Sequence, residues 1–262
     1  MTGISVGCMM ALAGICCLVT SGRAALRCCL AISLLVLTTA CGNAGKQEAS
    51  KPRQVPPRNE EARYDGIDIS SHQGVIDWAK VSSDKDIRFV YIKATEGATY
   101  RSPHYSQNIT EARRYGLLVG SYHYITSTST IDAQFENFSK YALKSIQDLI
   151  PMLDVEVRGN WSRSQLIDSV SKFCNLIERH YGVQPMIYST MGFYNKNLTP
   201  HFNKHRLYIG RYSSSEPEIN WEGEYTIWQY SETGIIPGID AYVDLCRYRR
   251  DGWLDEILMP RD

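Results

Sequence analysis

An apolar run that ends in two carboxylates, IPMLDVEV, occupies residues 150–157 of this chain. Side chains alternate between the two faces of a β-strand, so Asp154 and Glu156 are predicted to share one face. The apolar lead-in is typical of a buried strand whose polar residues begin at its C-terminal edge. Neighbouring carboxylates raise each other's pKa, which is a cost for a purely structural strand. Acid–base cleavage of a glycosidic bond, by contrast, requires such a pair.

Strand-like and helix-like segments alternate on both sides of this stretch. The helical pattern is clearest where Leu166, Val170, Phe173 and Ile177 recur at three- and four-residue steps, between a serine N-cap and a glycine stop. Helices are predicted at 76–81, 102–115, 131–143 and 162–181. Strands are predicted at 64–69, 88–93, 117–124, 150–157, 185–189, 206–212, 225–230 and 241–248.

This order indicates five βα units followed by three strands with little helix between them. The predicted fold class is α/β, an irregular TIM-like (β/α)5(β)3 barrel, and the alternation predicts parallel strands. A doubly wound open sheet is the alternative fold. No GxGxxG follows the first strand, so a dinucleotide site has no support.

The composition bounds the class of protein. Lys and Arg total 28, as do Asp and Glu, and this balance gives no sign of a nucleic-acid partner. The 17 Tyr and 5 Trp suit a sugar site, because aromatic rings combine an apolar face with a polar tip; the alternative is that they fill a large core. Six of the 8 cysteines precede residue 42. The other two, Cys174 and Cys246, are predicted to be separate buried thiols rather than a disulfide.

The N-terminal part of the chain is predicted to lie outside the fold. Residues 1–41 have the layout of a signal peptide, with two arginines before an apolar run at 28–37 that is short for a membrane span. A small residue before Cys41 resembles a bacterial lipoprotein cleavage site. We therefore expect export and a lipid anchor on Cys41 in the bacterial cell envelope. Residues 42–63 are polar with three prolines, which predicts a disordered linker, and 64–262 form the folded domain.

Polar residues gather at the ends of the predicted strands, where parallel barrels carry their active sites. Strand one ends near Asp68, strand four ends with Asp154 and Glu156, and strand eight carries Asp244. Four carboxyl groups are therefore expected to converge on one mouth. Aromatic and amide side chains follow on the other strands, namely Tyr122, Tyr188, Tyr212, Trp228 and Gln229.

Seven short motifs occur in an order that resembles a known enzyme family. They are YDGIDISSHQG at 64–74, YIKATEG at 91–97, GSYHY at 120–124, LDVE at 153–156, IYS at 187–189, WQYS at 228–231 and VDL at 243–245. This order is similar to that of glycoside hydrolase family 25, the Chalaropsis-type lysozymes or N-acetylmuramidases, and the likeness covers about residues 64–250. Each motif alone is weak, whereas seven in register are a strong signal. Cys246 stands where the family commonly has Asn.

The resemblance implies cleavage of the β-1,4 bond after N-acetylmuramic acid in peptidoglycan. We expect a monomer without metal or cofactor. By matching motifs, Glu156 is the proton donor to the leaving oxygen. Asp154 is either the nucleophile or the group that orients the substrate's N-acetyl arm, and Asp68 and Asp244 are the other acidic residues of the site. The resemblance favours retention of configuration, with help from the acetamido group. The expected sugar contacts are Tyr122, Tyr188, Tyr212, Trp228 and Gln229.

Two other functions stay open at this level. A non-catalytic barrel would hold peptidoglycan without cutting it, although four carboxyl groups kept together usually signal chemistry. A metal-dependent deacetylase would need clustered His and Asp ligands, and no HExxH spacing occurs among the 6 histidines. His201 and His205 are four residues apart without a neighbouring carboxylate, and we expect them at the surface.

Overall fold

Five strand–helix units followed by three strands make up the part of the chain that the structure describes. The computed structural model describes residues 63–249 and 254–260, so the predicted leader and all but the last residue of the predicted linker lie outside it. The strands are β1 (Gly66–Ile69), β2 (Phe89–Glu96), β3 (Tyr100–Arg101), β4 (Leu118–Tyr124), β5 (Met152–Asp154), β6 (Met186–Thr190), β7 (Leu207–Gly210), β8 (Ile227–Gly234) and β9 (Val243–Tyr248). The α-helices are α1 (Trp78–Val81), α2 (Tyr105–Arg114), α3 (Ile131–Tyr141), α4 (Arg163–Tyr181) and α5 (Met191–Asn197).

Eight of these strands close into a barrel, in the order β1-β2-β4-β5-β6-β7-β8-β9, with β1 pairing to both β2 and β9. The remaining strand, β3, pairs only with the end of β2 and forms a short hairpin beside the barrel. The predicted irregular (β/α)5(β)3 barrel is therefore confirmed. The open doubly wound alternative is excluded by the β1–β2 closure.

The expectation that all strands are parallel is wrong for β9. This strand runs antiparallel to both β8 and β1. Only residues 235–242 connect β8 to β9, and a connection of that length joins antiparallel neighbours, because a parallel crossover needs a dozen or more residues. The start of β9, rather than its end, therefore lies beside the C-terminal ends of the other strands.

The local signals for helix α4 act as the sequence predicts. Ser162 accepts a hydrogen bond from the backbone N–H of Gln165, whose side chain returns one to the Ser162 backbone. Gly182 ends the helix in the left-handed region at φ 76°, where the absence of a Cβ removes the steric penalty. The apolar face of the helix, predicted from its periodicity, is fully buried against the barrel.

Among the differences from the sequence prediction near the barrel mouth are the end of β5 and an additional helix, α5. Strand β5 ends at Asp154, so Glu156 lies in the following loop rather than within the strand. The extended backbone continues for one more residue, because the Val155 N–H donates to the carbonyl of Tyr188 at 2.9 Å. Asp154 and Glu156 consequently still face the same side. Helix α5 was not predicted, since its segment, MGFYNKN, carries no apolar repeat.

Large aromatic rings fill the barrel interior, and glycines on neighbouring strands make room for them. Tyr91 is fully buried on β2, and its register partner on β4 is Gly120. A Cβ at Gly120 would lie 2.4 Å from the Tyr91 ring, so only glycine fits there. Gly66 stands in the same relation to its own register partner, Phe89.

Cys174 and Cys246 are both buried and unpaired, which confirms the predicted separate thiols. Among the described helices, none is long and apolar enough to cross a membrane.

Candidate active site

A cavity of about 470 Å³ opens at the barrel mouth, where the parallel strands end and β9 begins. All four predicted catalytic carboxyl groups line it, because the antiparallel β9 brings its second residue, Asp244, to the same rim as the ends of β1 and β5. The lining residues are Asp68, Ser70, His72, Lys93, Glu96, Tyr122, Tyr124, Met152, Asp154, Glu156, Tyr188, Tyr212, Gln229, Glu232 and Asp244.

Asp68 and Asp244 form a carboxyl pair across two strands. They are direct register partners on β1 and β9, and their side chains are hydrogen-bonded to each other. Burial raises the pKa of Asp68 to about 6, although hydrogen bonds from Tyr208 and Gln229 act in the opposite direction. Burial and the negative charge of Asp68 raise the pKa of Asp244 to about 8. Two carboxyl groups this close hold one proton between them near neutral pH.

Asp154 and Glu156 differ in depth within the same wall. Asp154 is 7% exposed, and its buried Oδ1 has no hydrogen-bond partner in the structure. Burial and the charge of Glu156 raise the pKa of Asp154 well above its ordinary value. Glu156 is only partly buried, and burial raises its pKa as well. Glu156 is thus the carboxyl group better placed to meet a bound molecule, with the raised pKa that a proton donor needs.

One lysine at the rim opposes the negative charge of these groups. Lys93 Nζ lies 2.7 Å from Glu96 Oε2 and 4.7 Å from the centre of the Tyr124 ring. Its positive charge lowers the pKa of both Asp154 and Glu156, against the effect of burial. Lys93 therefore pairs with Glu96, the last residue of β2, rather than with one of the four predicted catalytic carboxyl groups.

Gln229 joins three of the predicted residues in one hydrogen-bond network. Its Oε1 accepts from the hydroxyls of Tyr188 at 2.7 Å and Tyr212 at 2.9 Å. Its Nε2 donates to Asp68 Oδ2 at 2.9 Å. Gln229 is 2% exposed, so its side chain contacts this network and presents little surface to the open cavity.

The predicted sugar contacts divide into two groups. Four of them, Tyr122, Tyr188, Tyr212 and Gln229, line the cavity. Trp228 is not among the lining residues; it is 7% exposed, and its indole Nε1 donates to the carbonyl of Arg211 at 2.8 Å.

His123 is a structural residue of the barrel. It is fully buried between Thr95, 2.7 Å from Nδ1, and Gln134, 3.3 Å from Nε2, and it stacks on the Phe173 ring. Burial lowers the pKa of His123 to about 3, so the ring is neutral at physiological pH. His201 is exposed, and His205 is half-buried.

Tyr208 belongs to the site but was not found from the sequence. It is fully buried on β7, and its hydroxyl donates to Asp68 Oδ2 at 2.6 Å. The only sequence feature that distinguishes Tyr208 is its hydroxyl group within the short apolar strand LYIG. No part of that pattern points to Asp68, which lies 140 residues earlier in the chain.

The raised pKa of Asp244 predicts a specific pH dependence of stability. The folded protein holds this proton up to about pH 8, whereas an unfolded Asp releases it near pH 4. The contribution of Asp244 to stability is therefore fully present below about pH 4 and is lost as the pH rises to about 8. As the pH rises from about 4 to about 8, the unfolding free energy of the wild type should therefore fall relative to that of Asp244→Asn. Urea denaturation of both proteins at pH 5, 6.5 and 8 measures it, and a constant difference would contradict the assignment.

The barrel and its acid-lined mouth define the class of protein. Several carboxyl groups with raised pKa values, facing a cavity with aromatic walls, are the arrangement of a glycoside hydrolase. The chain belongs to glycosyl hydrolases family 25, whose sequence model matches residues 67–239. It is therefore a glycoside hydrolase, and the non-catalytic alternative is not favoured.

Relatives and solved structures agree with this placement. The chain is 36% identical to the uncharacterized protein YegX of Escherichia coli strain K12 over 183 residues, which are 68% of this chain and 67% of that protein. It is 34% identical to the autolytic lysozyme of Clostridium acetobutylicum, over 69% of this chain and 54% of that protein. The structure of the bacterial lysozyme from Streptomyces coelicolor superimposes with a TM-score of 0.66 at 28% identity, covering 73% of this chain and 94% of that one.

Proposed function

We propose that this protein is an N-acetylmuramidase that hydrolyses the β-1,4 bond between N-acetylmuramic acid and N-acetylglucosamine in peptidoglycan. The observation that carries the proposal is the gathering of Asp68, Asp154, Glu156 and Asp244 around one cavity, with Glu156 the partly exposed member of the Asp154–Glu156 pair. The similar proteins from Clostridium acetobutylicum and Streptomyces coelicolor are both lysozymes, which supports this choice of substrate.

In the proposed reaction, Glu156 gives its proton to the glycosidic oxygen as the bond from that oxygen to the muramic-acid C1 breaks. The ring gains oxocarbenium character, which the negative charge of the surrounding carboxylates stabilises. An acetamido oxygen or an Asp154 oxygen then bonds to C1. In the second step Glu156 takes a proton from water, and the water oxygen displaces that group from C1.

The position of Asp154 favours the role of orienting group over that of nucleophile. Its Oδ1 is buried and has no donor from the protein. An unpartnered buried acceptor is costly, and the N–H of a substrate acetamido group would satisfy it. In this arrangement the acetamido oxygen is turned toward C1, and the reaction proceeds with retention through the substrate's own group.

The aromatic walls are proposed to bind the sugar rings. Tyr122, Tyr188 and Tyr212 line the cavity with apolar ring faces and polar tips, a combination that suits sugars. Gln229 would hold Tyr188 and Tyr212 in place and present what remains of its amide to the substrate. The sugar contact predicted for Trp228 stays a prediction.

Mass spectrometry of digested peptidoglycan tests the proposed bond. Purified protein is incubated with wall glycan, and the products are reduced with borohydride. Reduced muramic-acid ends are expected. Reduced glucosamine ends would show that the protein is a glycosidase that cleaves the other glycosidic bond of the glycan. Folded protein that binds the wall but releases no products would favour the non-catalytic barrel that holds peptidoglycan without cutting it.

We further propose that the protein is exported and anchored to the cell envelope by a lipid on Cys41. The support is the pattern of the leader at residues 1–41, which lies outside the described residues. Cys41→Ser is expected to abolish incorporation of labelled palmitate in a bacterial host and to move the protein out of the membrane fraction. Cys174→Ser is the matched control, because that thiol is buried in the barrel domain. Equal labelling of Cys41→Ser and the wild type would exclude the anchor.

A further inference from the structure

Tyr208 is fully buried behind the carboxyl groups that line the cavity and has no role in the proposed reaction. Its ring packs edge-on against Tyr91, with ring centres 6.1 Å apart, and against Tyr188 at 5.4 Å. These two contacts, together with complete burial, fix the direction of the phenol. Its hydroxyl therefore lies in a set position, 2.6 Å from Asp68 Oδ2.

Two donors converge on that single oxygen of Asp68. Besides Tyr208, the Nε2 of Gln229 lies 2.9 Å from Oδ2. The other end of the Gln229 amide accepts from Tyr188 and Tyr212, which turns the NH2 group toward Asp68. An amide NH2 can only donate, so Oδ2 accepts two hydrogen bonds and has no room for a proton of its own.

Asp68 and Asp244 share a proton, and this geometry decides where it lies. Because the two hydrogen bonds donated to Oδ2 stabilise the ionised form of Asp68, the negative charge is held on Asp68 and the proton belongs to Asp244. The other titratable groups that face the pair are spread over six barrel strands or the loops beyond them. They are Tyr122 on β4, Asp154 on β5, Glu156 after β5, Tyr188 on β6, Tyr212 after β7, Glu232 on β8 and Cys246 on β9.

We propose that Tyr208 is a positioning residue that keeps Asp68 as the anion and Asp244 as the acid of this pair. The fixed anion faces the cavity in which the substrate's positive charge would develop. Only the expected effect on the rate rests on the proposed function; the location of the proton does not.

Removal of a single hydroxyl tests the proposal. Tyr208→Phe takes one of the two donors from Asp68 and leaves the ring packing in place. Carbon-13 NMR of protein labelled at the aspartate carboxyl carbons follows both titrations, with Asp68→Asn and Asp244→Asn used to assign the signals. In Tyr208→Phe the midpoint of Asp68 should rise and that of Asp244 should fall.

Tyr91→Phe is the matched control. Tyr91 is also fully buried, its ring touches that of Tyr208, and its hydroxyl donates to the carbonyl of Ile150 at 3.1 Å rather than to a carboxylate. It should leave both midpoints unchanged. Equal shifts in the two variants, or no shift in Tyr208→Phe, would overturn the proposal. If Tyr208→Phe does not fold, Gln229→Met removes the second donor from the same oxygen and should likewise raise the titration midpoint of Asp68.

The catalytic effect provides a separate readout. Since a hydrogen bond to a charged group is a strong one, Tyr208→Phe should lower kcat about tenfold or more and displace the pH–rate profile, whereas Tyr91→Phe should do neither. A wild type that does not cleave glycan, but titrates as described, would refute the proposed function and keep this inference. If the wild type cleaves glycan but the titration midpoint of Asp68 is the same in Tyr208→Phe, this inference is refuted and the proposed function is kept.

Discussion

Glu156→Gln is expected to abolish glycan cleavage while the barrel stays folded. Glutamine has nearly the same shape but has no proton to give to the leaving oxygen, and general acid catalysis typically contributes about 10²- to 10⁴-fold to a rate. Glu156 is partly buried with a raised pKa, so the neutral amide should not destabilise the fold. The initial rate of release of reducing ends from peptidoglycan measures the loss, and a thermal melt checks the fold.

An exposed glutamate on the barrel exterior provides the matched control for this variant. Glu136 lies on α3 and is exposed, so Glu136→Gln should cleave at the wild-type rate. If Glu156→Gln kept most of the wild-type rate, the proton donor would have to be another carboxyl group of the cavity.

Asp154→Asn is expected to make the protein more stable and nearly inactive. The folded protein pays for burying this carboxylate, whose Oδ1 has no partner, beside Glu156. Replacing the charge with an isosteric amide should raise the unfolding free energy at pH 8 by about 1–2 kcal/mol, a common gain when a strained active-site residue is replaced. The same change replaces the charged acceptor for the acetamido N–H with a neutral amide, whose single oxygen is a weaker acceptor and whose NH2 group can only donate. The expected loss in kcat is about 10²-fold or more, the size seen for a lost transition-state contact.

The stability gain should depend on pH in a defined direction. Because the folded pKa of Asp154 is raised, wild-type Asp154 is protonated in both states below about pH 4, and its penalty develops as the pH rises above the unfolded value. The advantage of Asp154→Asn should therefore shrink between pH 8 and pH 4 in urea denaturation. Asp168→Asn, at an exposed position of α4, should change neither the rate nor the stability by more than about 0.5 kcal/mol. A less stable Asp154→Asn at pH 8 would show that Asp154 is held by contacts that stabilise its charge.

The barrel could be predicted because its signals are local. Alternation of strands and helices, together with capping residues such as Ser162 and Gly182, depends only on neighbours in the chain. The direction of β9 is a tertiary property, and the short link at 235–242 was the only clue to it.

Asp68, Asp154 and Glu156 could be predicted because they come at or just after the ends of apolar strand segments, whereas Asp244, at the start of β9, was indicated by the order of the motifs. The residues that set their chemistry could not. Tyr208 and Gln229 reach Asp68 across 140 and 161 residues of sequence, and their hydrogen bonds depend on barrel closure. Trp228 is the neighbour of Gln229 on β8, so strand alternation places the two side chains on opposite faces, and the sugar contact of Trp228 stays a prediction.

The most direct test of the proposed chemistry is the identity of the new reducing end. Peptidoglycan digested with the purified protein, and in parallel with Glu156→Gln, is reduced with borohydride and analysed by mass spectrometry. The proposed mechanism predicts reduced N-acetylmuramic acid from the wild type and none from Glu156→Gln. Reduced N-acetylglucosamine from the wild type, or equal products from both proteins, would contradict it.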